Sequence, residues 1–179
     1  MDPRDKPSIK ETLPSHENDF FEVIIQYQPV VERFARQIGV SEDDLPDVTQ
    51  DVFIKVYRFF NSYTHGKFTT WLYSITLNVC KDLFRKQKRE RYKIKQAKQT
   101  VIPLYEETLS HYAILLNENL HELEEKYRIP IVLFYFHDRT LSEIALIMGL
   151  NENSVKTRLR RGKNKLKTAM IKGGFENEF

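Results

Sequence analysis

Apolar residues recur three and four positions apart along most of this chain, which is the spacing of helices. From about Asn18 to Ile38, one stripe holds Phe20, Val23, Ile24, Tyr27, Val31, Phe34 and Ile38. Pro29 lies inside it and predicts a kink or a split, and Gly39 predicts the exit. A second pattern runs from about Asp44 to Phe60, with Leu45, Val48, Val52, Val56 and Phe59 inward and Phe53, Tyr57 and Phe60 widening the stripe. Its opposite face carries Asp47, Gln50, Asp51, Ile54 and Arg58. That patch fits an ordinary wet surface and a docking face for a partner helix about equally well. After a loop at Asn61 to Lys67, a third helix is expected from about Phe68 to Leu77, with Phe68, Trp71, Leu72 and Ile75 inward. Asn78 marks its predicted end, and a fourth helix starts near Val79 or Cys80. Cys80, Leu83, Phe84 and Gln87 form the inner line of that helix, and Lys81, Arg85, Lys86, Lys88, Arg89 and Arg91 cover the rest. Basic and aromatic residues side by side suit a nucleic-acid strand, whose backbone is charged and whose bases stack.

Periodicity fades from Tyr92 to about Ser110 and returns in a helix carrying Ala113, Leu116, Leu120 and Leu123. The next helix runs from about Glu125 to Phe136, with Ile129, Val132, Leu133 and Phe136 inward and Pro130 in its first turns. Thr140 to Lys167 is the most informative stretch. Thr140 with Glu143 three residues on is a capping-box start. Leu141, Ile144, Ala145 and Met148 follow at helical spacing, Gly149 supplies a turn, and Leu150 is a buried plug. Asn151 caps a second helix with Val155, Leu159 and Leu166 inside. This is a helix-turn-helix, and the small Ala145 allows close crossing. The outer face of its second helix holds Lys156, Thr157, Arg158, Arg160, Arg161 and Lys163, and no acid occurs between Glu152 and Glu176. Such a face suits a groove lined with phosphates.

No alternating strand pattern occurs, so the fold class is all-α, with two small helical domains joined by a flexible linker. The expected division is a flexible N-terminus at 1–17, a first domain at 18–91, a linker at 92–109, a second domain at 110–172 and a tail at 173–179. The length of 179 residues permits two small domains. The net charge of +3 is mild, but bases cluster at Lys81 to Lys98 and Lys156 to Lys172, suggesting two contacts with a polyanion. The single cysteine, Cys80, excludes an internal disulfide and a cysteine-rich metal site and fits a reducing compartment. No signal core or apolar run of membrane length occurs, so the expectation is a cytoplasmic protein without membrane insertion. The five histidines are scattered, and no P-loop, dinucleotide, nucleophile-elbow or zincin motif is present. No catalytic residue, metal or cofactor is therefore expected.

Asp47-Val48-Thr49-Gln50-Asp51-Val52-Phe53, Phe68 to Ile75 and Asn78 resemble region 2 of extracytoplasmic-function sigma factors. Tyr127-Arg128 and Leu141 to Arg161 resemble their region 4. These are small sigma-70-type initiation subunits of bacterial RNA polymerase. The resemblance implies that Asp47, Gln50, Asp51 and Ile54 grip the β′ clamp of core RNA polymerase, with the β flap as a further contact. It implies that Asn78 binds an unstacked base of the −10 element while Lys81, Arg85, Lys86, Lys88 and Arg89 hold nearby phosphates. Lys156, Thr157, Arg158, Arg160, Arg161 and Lys163 would enter the major groove at the −35 element. An anti-sigma factor is the further partner it implies. One departure stands out: Leu123-Glu124 occupies the place where the family usually has Leu-Pro, so that turn is expected to differ. The rival readings are a stand-alone helix-turn-helix repressor or activator, and a small nuclease, which would need converging metal-binding carboxylates.

Overall fold

The computed structural model describes residues 17–60, 63, 66–93 and 111–172. Among these described residues seven α-helices follow in order: α1 (Glu17–Gln37), α2 (Leu45–Phe59), α3 (Phe68–Lys93), α4 (His111–Glu122), α5 (Glu125–Ile131), α6 (Leu141–Met148) and α7 (Glu152–Lys172). Of the segments read as N-terminus, linker and tail, residues 1–16, 94–109 and 173–179 lie outside the described residues, while Glu17 opens α1 and Tyr92 and Lys93 end α3. Asn61, Ser62, Thr64 and His65 of the first loop also lie outside.

Helices α1, α2 and α3 pack on one another around Tyr27, Val31, Phe34, Val52, Val56, Leu72 and Leu77, all nearly inaccessible to water. α1 is not split, because Pro29 is taken into a continuous helix. A packed amphipathic face outweighs one missing backbone hydrogen bond. Gly39 leaves the helix at φ 107°, a conformation costly for any residue with a Cβ. Ser41 then receives the backbone N–H of Asp44 on its hydroxyl at 3.3 Å, which shapes the turn into α2. Phe59, expected inside, is exposed, and Phe53 is buried instead.

The expected break at Asn78 does not occur. α3 runs through it without interruption, because Thr76, Leu77, Val79 and Cys80 continue the buried face on both sides. Asparagine costs a helix interior only about 0.7 kcal/mol, less than that burial returns. Trp71 is half-buried rather than central, and tilts against Tyr63 and Phe68 at 5.0 and 5.8 Å between ring centres.

In the second group of helices, α5 continues past Pro130 and widens into a π-helical turn, Val132–Phe136. Phe136 is therefore exposed rather than inward, as are Phe134 and Tyr135. Glu124 takes φ −55° and ψ 139°, angles that a proline adopts readily, so the α4–α5 turn needs no proline to form. Arg128 Nη1 donates to the carbonyls of His121 and Leu123 at 2.5 and 3.2 Å, tying off the end of α4.

α7 crosses α5 at Gly162, where a Cβ would stand 2.8 Å from Ile131 Cδ1 and 3.2 Å from Tyr127 Cβ. Ile131 Cδ1 can yield, but Tyr127 Cβ is fixed to its backbone. Gly162→Ala gains up to about 1 kcal/mol of helix propensity but loses more to that crowding, about 1–3 kcal/mol. The expected outcome is a lower urea midpoint, falling further with Gly162→Leu.

One contiguous buried cluster joins α1–α3 to α5–α7, with α6 packed on α3. His137, in the loop before α6, is 4% exposed at this junction. Burial pushes its imidazole down to about 4, and the nearby Arg33 and Arg139 add to the effect against Asp138. The unfolded chain takes up this proton near pH 6.5, but the folded chain does so only near pH 4. Stability is therefore complete above about pH 6.5 and declines as pH falls towards 4. The decline amounts to about 3 kcal/mol at most, at about 1.36 kcal/mol per pH unit. Melting temperature should fall over this range, and His137→Gln, which cannot protonate, should flatten the profile. An equally steep profile in that variant would place the titration elsewhere.

Candidate functional site

Along α2, the helical period turns Leu45, Val48, Thr49, Val52, Phe53 and Val56 into the core. Asp47, Gln50, Asp51, Ile54, Tyr57 and Arg58 remain exposed. Between α2 and α1 lies a groove of about 880 Å³. Ile24, Phe53, Ile54 and Tyr57 supply apolar lining, Glu32, Glu42 and Asp47 supply acid, and Arg36 and Arg58 supply base. The groove brings together Asp47, Gln50 and Ile54, whereas Asp51 lies on the adjacent outer face and does not line it. Sequence reasoning missed the α1 wall, where Gln28 and Glu32 join Phe20 and Ile24. The signal was present, since these four stand four residues apart along one edge of α1. Gln28 donates to Glu32 at 2.7 Å, and Arg36 pairs with Glu42 at 2.6 Å.

The second set of residues lies on α3. Asn78, Arg85, Lys86, Lys88 and Arg89 are exposed, and Lys81 is half-buried. Asn78 presents its amide from mid-helix, not from a helix end, with Lys81, Arg85 and Arg89 following along the same side. Asp82 was overlooked: it accepts from Arg85 at 2.9 Å and lies 3.8 Å from Lys55, so it fixes where Arg85 points. Burial lowers the Lys81 ammonium, and the like charges of Arg85 and Arg158 add to this against Glu125.

The third set lies on α7, whose seat is the helix-turn-helix. Thr140 Oγ1 accepts from the Glu143 N–H at 3.2 Å, and Glu143 accepts from the Thr140 N–H at 2.8 Å, closing the expected capping box. Gly149 ends α6 in the left-handed region at φ 65°. Asn151 Oδ1 receives the Ser154 N–H at 2.8 Å and caps α7. Val155 is fully buried, while Leu150, Leu159 and Leu166 are half-buried at the rim. Lys156, Arg160, Arg161 and Lys163 are exposed, and Thr157 and Arg158 half-buried. The overlooked members of this helix are Gly162, which sets its depth against α5, and Lys165, 3.7 Å from Glu124.

This arrangement defines a class: a helical, two-part DNA-binding factor with a separate acidic and apolar groove. Residues 23–90 match the family model for Sigma-70 region 2, and residues 115–166 match that for Sigma-70, region 4. The ECF RNA polymerase sigma factor SigW of Bacillus subtilis is 26% identical over 176 residues, covering 90% of this chain and 94% of the relative. SigE of Mycolicibacterium smegmatis, another ECF RNA polymerase sigma factor, is 28% identical over 161 residues, covering 87% of this chain and 63% of the relative. The sigma factor RpoE of Bartonella quintana, solved in complex with the anti-sigma factor NepR, shares the fold. Its TM-score is 0.76 at 22% identity, over 86% of this chain and 98% of that one. The chain belongs to the sigma-70 family of RNA polymerase initiation factors, in its extracytoplasmic-function class. Among the described residues, no helix is long and apolar enough to cross a membrane.

Proposed function

We propose that the α1–α2 groove receives a helix of the core polymerase β′ clamp while α3 and α7 hold the −10 and −35 elements. The groove carries this reading: an apolar floor with Glu32 and Asp47 on its walls, Glu42 being paired with Arg36, suits an amphipathic helix with basic flanks. Asn78 offers one donor and one acceptor to the edge of an unstacked base. Lys81, Arg85, Lys86, Lys88 and Arg89 bind phosphates around it. On α7, Lys156, Arg160, Arg161 and Lys163 face the major groove, where Arg161 can read guanine and the other three take phosphate. Thr157 and Arg158, set deeper, contact the groove edge. The exposed Phe134 and Tyr135 suit the β flap.

The factor catalyses nothing; base capture stabilises the melted strand, and two tethered weak sites act as one strong site. An anti-sigma factor competing for the groove is the natural regulator of this scheme; the RpoE neighbour was solved in complex with an anti-sigma factor. Residues 18–91 and 110–172 are the two functional domains in this scheme, acting in the cytoplasm.

Run-off transcription with core polymerase over a promoter library tests the reading. Start sites that depend on this protein are expected, sharing two sequence elements. Binding of duplex half-sites by a dimer, with no effect on core polymerase, would instead favour a stand-alone repressor.

A further inference from the structure

The α1–α2 groove is apolar at one end and acidic at the other. Phe20 of α1 meets Tyr57 of α2 edge-on at 5.2 Å, which places one end of the groove beside the start of α1. Phe21, Ile25, Gln28 and Glu32 recur at helical spacing and so form one stripe along the α1 side. Phe21 and Ile25 are 64% and 61% exposed, and Tyr57 and Ile54 of α2 are 55% and 40% exposed. Further along, Glu32 and Asp47 make the groove acidic. There Arg36 and Glu42 offset each other as a pair, while Arg58 lies next to Tyr57, towards the apolar end.

Large apolar side chains left together in water mark a surface that something covers. The chain entering α1 at that end has the chemistry to do so. Residues 1–16 precede α1, outside the described residues. In this sequence Ile9 and Leu13 stand one helical turn apart, as do Lys6 and Lys10, so a short helical stretch would carry all four on one face. Pro7 is compatible with a first turn. Pro14 disfavours the helical region for Leu13, so the stretch is not a straight extension of α1. Counted back from α1, Leu13 comes first, then Lys10 with Ile9, then Lys6. Apolar leads and basic follows, which matches the groove running from apolar to acidic. The chain from Leu13 to Glu17 spans up to about 14 Å. Ile24 stands only about 10 Å along α1 from Glu17, at about 1.5 Å per residue.

We infer that residues 6–13 occupy the α1–α2 groove of the free chain, Leu13 and Ile9 covering Phe21, Ile25 and Tyr57, and Lys6 and Lys10 meeting Glu32 and Asp47. A segment tethered this closely is present at about millimolar effective concentration. An intrinsic affinity of about 0.1 mM then fills about nine-tenths of the grooves, and any partner for the groove binds about tenfold more weakly. For the polymerase clamp this consequence rests on the groove assignment above; the occupancy does not.

A spin label at Glu11→Cys, on the other face of that stretch, reads the occupancy by broadening nearby amide signals in the isotope-labelled full chain. Cys80 is buried and stays unlabelled. Broadening is expected at residues 21–32 and 47–57, with α7 left sharp. Ile9→Ser with Leu13→Ser touches no described core residue. It should remove the broadening and raise affinity for core polymerase roughly five- to tenfold. Broadening that is absent, evenly spread or centred on α3 or α7 would overturn the inference. Groove broadening in isotope-labelled chains mixed with separate spin-labelled ones would assign the occupant to a second copy, and overturn it too. Groove broadening that the double substitution abolishes, with polymerase affinity unchanged, would leave the occupancy standing and remove the clamp from this groove.

Discussion

Alanine at Asp47, Gln50 and Ile54 together should lower affinity for core polymerase about a hundredfold, leaving helix content and melting temperature near their parent values. The three side chains line one groove, and none supports the core. Interface truncations of this kind cost about 1 kcal/mol each, and about 1.4 kcal/mol is a factor of ten. Asp51 sharpens the test. It carries the same charge on the same helix but does not line the groove, so Asp51→Ala should cost several-fold less than Asp47→Ala. Surface plasmon resonance with immobilised core polymerase reads both. Equal losses would mean that the factor is held by its general field and not by the groove.

Removing Lys156, Arg160 and Lys163 together should weaken −35 duplex binding by about two orders of magnitude at 0.15 M salt. Each phosphate contact contributes about −0.9 to the slope of log affinity against log salt, so losing three lowers the slope by about 2.7. Between 1 M and 0.15 M salt this amounts to roughly 150-fold. All three side chains are exposed and unneeded by the core, whereas Gly162, Val155 and the caps hold α7 in place. Arg161→Ala asks a different question. If Arg161 reads a base, the loss is about 1–3 kcal/mol on the cognate sequence alone, with specificity relaxed at one position. A loss shared by all sequences would identify a phosphate contact. Titrating duplexes of several sequences across a salt series resolves the two effects.

Most of the second unit was legible because its instructions are local. Thr140, Glu143, Gly149 and Asn151 act within one helical turn of where they stand, so spacing alone specifies cap, turn and cap. The inner stripe of α2 was legible for the same reason, since Leu45, Val48, Val52 and Val56 follow one period. The errors fell where a local signal met a larger packing term. Asn78 and Pro29 read as interruptions, yet both sit inside unbroken helices whose faces are buried on either side. Phe136 read as core, but the π-helical turn shifts the register of the last residues of its segment and delivers it to the surface.

The sequence by itself determined an all-helical chain, the helix-turn-helix with its unrelieved positive face, and the grouping of Asp47, Gln50, Asp51 and Ile54 on one side of a helix. All of these follow from periodicity and capping, interactions that span a few residues. Tertiary structure decided that Asp47, Gln50 and Ile54 share a groove with Gln28 and Glu32 while Asp51 does not. It also decided that Gly162 sets the crossing of α5 and α7. Only the fold could reveal His137 between Tyr73 and Gln37, residues 64 and 100 positions away. A buried polar group must find a partner wherever the packed chain supplies one, and no spacing rule records contacts made across that distance.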